Sequence, residues 1–180
     1  MKSLLRRRLP GRIDVAETRK WIESRMWTPE MLRRDDGVLS KNMSIVVKQS
    51  DSVRKFMYSE RERRDRLSTK SEFDRVELKE MSVADFIDCI ENQSKSNSYY
   101  YWTSNDVFDD DIRDELWNTF QDVRERNGCK ETGLAPSIWM GGQGTCTQAH
   151  YDVLDNIFIQ LHGEKQFHLW PPTDVVSLHF

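Results

Sequence analysis

Gly141-Gly-Gln-Gly-Thr-Cys-Thr147-Gln-Ala-His150-Tyr151-Asp152, followed after three residues by Asn156-Ile-Phe-Ile-Gln-Leu-His-Gly163-Glu-Lys165-Gln-Phe-His-Leu-Trp170, decides how the rest of the chain is read. Glycines and acidic residues cut this stretch and the residues just before it into short apolar and alternating runs, which predict strands over residues 137–140, 147–151, 156–161 and 165–170. In an extended strand, residues two apart point to one face, so His150 and Asp152 can present an imidazole and a carboxylate to one ion. One more histidine would make a facial triad, an arrangement that leaves the opposite coordination positions open for other ligands. A bare His-x-Asp is weak on its own, because a surface histidine beside a turn aspartate has the same spelling.

The residues that follow add weight. Asn156 to Trp170 reads as two alternating strands joined by a tight turn at Gly163, with Asn156, Phe158 and Gln160 on one face of the first and Lys165, Phe167 and Leu169 on one face of the second. Lys165 is either an exposed lysine at the start of a strand or an ammonium turned into a barrel. Turned inward it needs an anionic partner, because an unpaired buried ammonium loses its proton or destabilises the fold. A bound dicarboxylate would be such a partner.

Together, Gly141 to Asp152, Asn156, Gly163, Lys165 and Pro171-Pro172 resemble the proximal metal-binding segment of the JmjC and cupin-like 2-oxoglutarate dioxygenases. Within that group the segment is similar to the asparaginyl hydroxylase that inhibits hypoxia-inducible factor. His150-Tyr-Asp-Val-Leu-Asp-Asn156 is also similar to the corresponding stretch of the wybutosine-tRNA hydroxylase. The resemblance is strong over residues 137–172 and runs back more weakly through Trp27-Thr-Pro-Glu-Met-Leu32, Arg54-Lys-Phe-Met-Tyr58 and Tyr99-Tyr-Tyr-Trp102. It implies an α+β fold in which a helix-rich N-terminal region leads into an incomplete double-stranded β-helix of the cupin, jelly-roll type.

The resemblance also implies roles. His150 and Asp152 would bind Fe(II), and Lys165 would pair with the distal carboxylate of 2-oxoglutarate, to which Thr147 would donate its hydroxyl. Asn156 matches a residue that helps to hold the cosubstrate, and a tyrosine among Tyr99 to Tyr101 matches one that reaches it. Tyr101 fits that position best, since Trp102-Thr-Ser follows it, although the three tyrosines are equally read as a half-buried strand without a ligand role. The family's second metal histidine lies on a later strand, and none of His162, His168 or His179 is expected to replace it, being respectively a turn, an outer-face and a terminal residue. The sequence is therefore expected to be part of a longer enzyme, with unpaired strand edges and exposed apolar side chains near its end.

Upstream, residues 14–25 carry apolar side chains loosely at helical spacing, and Thr28-Pro29 offers an N-cap and a first-turn proline. Two short helices are expected before the turn at Asp35-Asp36-Gly37. Residues 43–49 and 55–58 read as a hairpin, and residues 60–71, where Glu and Asp interleave the arginines, as a solvated loop rather than a nucleic-acid patch. Ser82 with Asp85 resembles a capping box that opens a helix over residues 83–91, and another helix is predicted over residues 109–127, ended by Gly128. The chain divides into residues 1–98, the N-terminal helical and strand region, and residues 99–180, the first part of the β-helix.

With 37% hydrophobic and 32% charged residues and a net charge of −3, the chain of 180 residues is neither a disordered tail nor a membrane protein. No apolar run approaches the length needed to span a bilayer. Cys89, Cys129 and Cys146 are widely spaced with no CxxC, which favours free thiols in a reducing compartment. Met1-Lys-Ser-Leu-Leu-Arg-Arg-Arg8 could open a transit peptide, but Asp14, Glu17 and Glu23 follow and no apolar signal core appears, so a cytoplasmic or nuclear location is expected. Three functions remain open: a protein side-chain hydroxylase using molecular oxygen, a tRNA-base hydroxylase, and a non-catalytic interaction module. No membrane partner is expected, and a homodimer would form through a C-terminal region beyond residue 180.

Overall fold

The computed structural model describes residues 10–11, 16–25, 27–36, 39–51, 55–56, 76–105, 107–108, 110–119, 121, 136–147, 149–150, 152, 156–174 and 176–177. Its frame is a sheet begun by Ser44–Ser50 (β1), where consecutive β-branched residues Ile45, Val46 and Val47 favour an extended chain. Glu77–Ser82 (β3) pairs with one edge of β1 and Tyr99–Ser104 (β4) with the other, both antiparallel, and Ile138–Gly141 (β5) pairs antiparallel with β4. The strand order is β3-β1-β4-β5, so the sheet draws on both sides of residue 98. Lys55–Phe56 (β2) and Cys146–Thr147 (β6) form a separate, short parallel pair.

Alternation gives this sheet two different faces. Register sets Ile45, Val47, Tyr100, Trp102, Ile138 and Met140 on one face, where they join the hydrophobic core. Tyr101, Thr103, Trp139 and Gly141 lie on the other. The core face is covered by helices. Val83–Glu91 (α3) starts at Ser82, whose hydroxyl accepts from the Asp85 amide at 3.1 Å, and buries Val83, Phe86 and Ile87 at helical spacing. Phe86 meets Trp102 edge to face with ring centroids 6.2 Å apart. Each of these fully buried apolar side chains contributes on the order of 1.5–3 kcal/mol.

Ala16–Arg25 (α1) and Pro29–Leu32 (α2) are the two short helices expected ahead of Asp35, and Thr28 caps the second by accepting from the Met31 amide. Trp21 and Trp27 pack at 5.7 Å, and Trp27 meets Phe108 at 6.2 Å. Asp110–Thr119 (α5) is tied to α1 by an ion pair between Arg25 and Glu115, while Arg33 joins α2 to α3 through Asp88 at 2.6 Å and through Glu91. These pairs are partly solvated and orient the helices more than they stabilise them. Gln93–Ser96 (α4) ends at Asn97 in the left-handed conformation (φ 56°), which turns the chain into β4.

Several sequence expectations are corrected. The hairpin expected between residues 43–49 and 55–58 is not formed by its described part, because β1 pairs with β3 and β4 while Lys55–Phe56 takes β6 as its partner; residues 57 and 58 lie outside the described residues. The helix expected over residues 109–127 runs over Asp110–Thr119, with Gln121 also helical, and residues 122–130, Gly128 and Cys129 among them, lie outside the described residues, as do residues 60–71. Strand β6 stops at Thr147, so His150 is not on a ladder. Residues 156–161 and 165–170 carry no regular secondary structure and join no ladder among the described residues. Alternation supplies a face, whereas a strand also requires a neighbour for its amides and carbonyls. In its place, Ile159 and Leu161 pack against the core, and Phe158 meets Phe167 at 4.7 Å across the turn at Gly163. Ile157, Phe158, Phe167, Leu169, Trp170 and Val176 are exposed, but in a segment without strands rather than along strand edges. No described helix is long and apolar enough to cross a membrane.

Candidate functional site

The sheet face turned away from the helical core carries Tyr101 and Trp139; Thr147 meets the first, and His150 and Lys165 lie against the second. Tyr101 is buried there, stacked on Phe56 of β2 with ring centroids 5.5 Å apart. Its phenolic oxygen lies 3.0 Å from the Thr147 hydroxyl, a hydrogen bond in which either oxygen can donate. Of the three tyrosines, Tyr101 is thus the one that reaches Thr147; Tyr100 belongs to the core on the opposite face.

A glycine-rich turn delivers the chain from β5 to Thr147. Gly144 has φ 79°, a conformation that favours glycine. The turn is fastened by buried Gln93, whose Nε2 donates to the Gln143 carbonyl at 2.6 Å. Gly142 has no room for a side chain, since a Cβ there would lie 1.8 Å from Gln93 Oε1.

Beyond that turn, His150 Nε2 and Asp152 Oδ1 stand 3.8 Å apart, with the two side chains 22% and 34% exposed. Ligands on adjacent corners around a first-row divalent ion lie about 3 Å apart, given bonds of about 2.1 Å, so a small rotation would let both atoms meet one ion. Asn156 donates from Nδ2 to Asp152 Oδ2 at 2.7 Å and leaves Oδ1 turned toward His150, the kind of outer contact that fixes a ligating carboxylate. Among the described residues no group of three His, Cys, Asp or Glu side chains converges on a metal position. His162 lies in an exposed turn, exposed His168 stacks on Trp170 at 6.2 Å, and His179 lies outside the described residues.

Neither reading of Lys165 describes it fully, since its segment forms no strand. The residue as a whole is exposed, but the ammonium lies over three rings, 5.0 Å from the centroid of Trp139, 5.2 Å from Phe158 and 5.4 Å from Phe167. Burial lowers its pKa below the ordinary lysine value, and among the described residues no carboxylate pairs with it. An ammonium partly stripped of water and lacking a counter-ion attracts an anionic ligand.

Trp139 escaped the reading of the sequence. It packs against His150 at 6.4 Å with ring planes 27° apart, meets Tyr101 edge to face at 6.5 Å and carries Lys165. Strand alternation around Ile138 was the available signal: with Ile138 in the core, Trp139 must lie on the opposite face. Phe56 and Gln93 had no such local mark, because their roles depend on contacts made far away in sequence.

Known proteins resemble parts of this chain in sequence. The chain is 36% identical over 50 residues to JmjC domain-containing protein F of Dictyostelium discoideum, covering 28% of this chain and 10% of that protein. It is 35% identical over 85 residues to HSPB1-associated protein 1 of Bos taurus, covering 45% of this chain and 16% of that protein. The matches therefore span only a small part of either relative's length. The antiparallel sheet and its helices fit the α+β cupin, jelly-roll fold, and because residues 17–180 match the cupin-like domain, the chain belongs to that JmjC-related family.

Proposed function

We propose that the protein is an Fe(II)- and 2-oxoglutarate-dependent dioxygenase of the JmjC type that hydroxylates a protein side chain with molecular oxygen. The observation that carries this reading is the convergence on Trp139 of an imidazole with a neighbouring carboxylate, His150 and Asp152, and of the desolvated cation Lys165. The residues fit the groups: two metal donors stand side by side, and an ammonium with no carboxylate partner among the described residues suits a dicarboxylate.

His150 Nε2 and the Asp152 carboxylate would hold iron, both unprotonated at the donor atoms, so acid weakens binding. Asn156 would keep the carboxylate oriented. Lys165 would neutralise the distal carboxylate of 2-oxoglutarate, with the hydroxyls of Thr147 and Tyr101 directed to the same group. Iron with its cosubstrate, when bound, supplies the oxidising chemistry for hydroxylation of a C–H bond. The protein would contribute donor geometry and charge.

A protein substrate is favoured by the similarity of residues 137–172 to an asparaginyl hydroxylase and by a relative named for association with another protein. Hydroxylation of a tRNA base is the second reading, supported by His150-Tyr-Asp-Val-Leu-Asp-Asn156. Anaerobic titration of Fe(II) and 2-oxoglutarate into the wild-type chain, a downstream-extended chain and His150→Ala versions of both tests the ligand assignment. Binding of both ligands that His150→Ala abolishes supports it. Failure of the extended wild-type protein to bind either ligand would refute it and leave an interaction module as the better account.

A further inference from the structure

We infer that Trp139 is a positioning residue that holds the proposed metal donor His150 and the proposed cosubstrate anchor Lys165 on one rigid surface. This inference rests on the dioxygenase reading for its consequences in ligand binding, but the arrangement itself is a property of the ligand-free fold. Trp139 is fixed by the ladder between β5 and β4 and by its edge contact with Tyr101, both parts of the sheet. His150 and Lys165, by contrast, come from segments without a ladder among the described residues. A donor and a flexible ammonium on irregular chain need an external template, and the indole is the group that both of them touch.

The two contacts use different chemistry. The ring of His150 packs nearly parallel to the indole at 6.4 Å, which restricts its rotation and limits where Nε2 can point. The Lys165 ammonium lies over the indole at 5.0 Å, within the range in which a π-face attracts a cation. Phe158 and Phe167 extend the aromatic surface at 5.2 Å and 5.4 Å but are exposed side chains on the same unpaired segment as Lys165. Trp139 is the part of the aromatic surround that belongs to the sheet.

The test compares the wild-type chain with Trp139→Phe, which keeps an aromatic face, and Trp139→Leu, which keeps apolar bulk alone. In ligand-free protein, NMR signals of the Lys165 ε-methylene report the shielding of all the rings around it. The expected result is that Trp139→Leu, still folded by its melting transition, returns these signals to exposed-lysine values, losing the shielding by Phe158 and Phe167 along with that of the indole. Trp139→Phe retains most of it. Persistence of the phenylalanine-derived shielding in Trp139→Leu would show that Lys165 is placed without Trp139 and would overturn the inference. So would equal loss in the two variants, because an aromatic template must be partly rescued by phenylalanine.

Titrations of Mn(II), followed by 2-oxoglutarate, carry the inference into ligand binding. Trp139→Leu is expected to weaken both by roughly tenfold, as for loss of a group that orients ligands from outside the coordination shell, with Trp139→Phe within about threefold of wild type. Unchanged affinities in a folded Trp139→Leu protein overturn the inference. A downstream-extended wild-type protein that binds neither ligand while its Lys165 signals respond as expected refutes the dioxygenase reading and upholds the positioning role.

Discussion

The hydroxyl of Thr147 lies 3.0 Å from the phenolic oxygen of Tyr101, so two residues 46 positions apart meet on the sheet face opposite the core. Each satisfies the other before any ligand arrives. Tyr101→Phe or Thr147→Val is therefore expected to destabilise the chain by about 1 kcal/mol. The double variant should cost clearly less than the sum, because the second substitution removes a group already left without its partner. Urea unfolding of the four proteins checks this; additive losses would show that the contact contributes little.

The turn before Thr147 makes a second prediction. A Cβ at Gly142 would come within 1.8 Å of Gln93 Oε1, and Gln93 is held by its bond to the Gln143 carbonyl. Gly142→Ala is expected to cost about 1–3 kcal/mol through this overpacking. Gln93→Ala should cost a similar amount by freeing the turn, yet combining the two should recover part of the loss, since the clash disappears with the amide. Thermal melts of the single and double variants decide the matter; equal or greater loss in the double variant would rule out the clash as the cause.

What could be read from the sequence follows the range of the interactions. Thr28 before Pro29, and Ser82 with Asp85, are caps made by residues within one turn, and both form as expected. Val83, Phe86 and Ile87 lie at helical spacing, and all three are buried. The choice of partner for β1 depends instead on residues 28 or more positions away, which no local pattern of residues 43–58 contains. The same limit applied at the site. His150, Asp152 and Asn156 are near in sequence and meet in space, whereas Trp139, Phe56 and Gln93 gain their meaning only when β4 and β5 pair and the turn folds back. Strand alternation grouped Lys165 with Phe167, but the approach of Phe158 to both comes from the way the chain folds back at Gly163, and alternation had no means of specifying a ladder.

Lys165 makes a prediction about pH that does not depend on iron. Burial lowers its pKa, so folding is opposed by the charged form of this side chain. The cost is fully present below the folded-state pKa and disappears as pH rises from that value toward the unfolded value of about 10.4, a window in which the unfolded chain binds the proton and the folded chain does not. Wild-type stability should accordingly improve with alkaline pH relative to Lys165→Met, whose apolar side chain removes the titrating group. An anion that pairs with the ammonium acts in the opposite sense, raising the depressed pKa and binding best below it. Dicarboxylate affinity is therefore expected to fall with rising pH sooner than for a solvent-exposed lysine, and Lys165→Met should bind weakly at every pH. Melting curves and 2-oxoglutarate titrations across the alkaline range measure both limbs. If wild type and Lys165→Met show parallel stability profiles, the ammonium is not desolvated in the folded chain; if affinity is flat across the range, Lys165 is not the anchor.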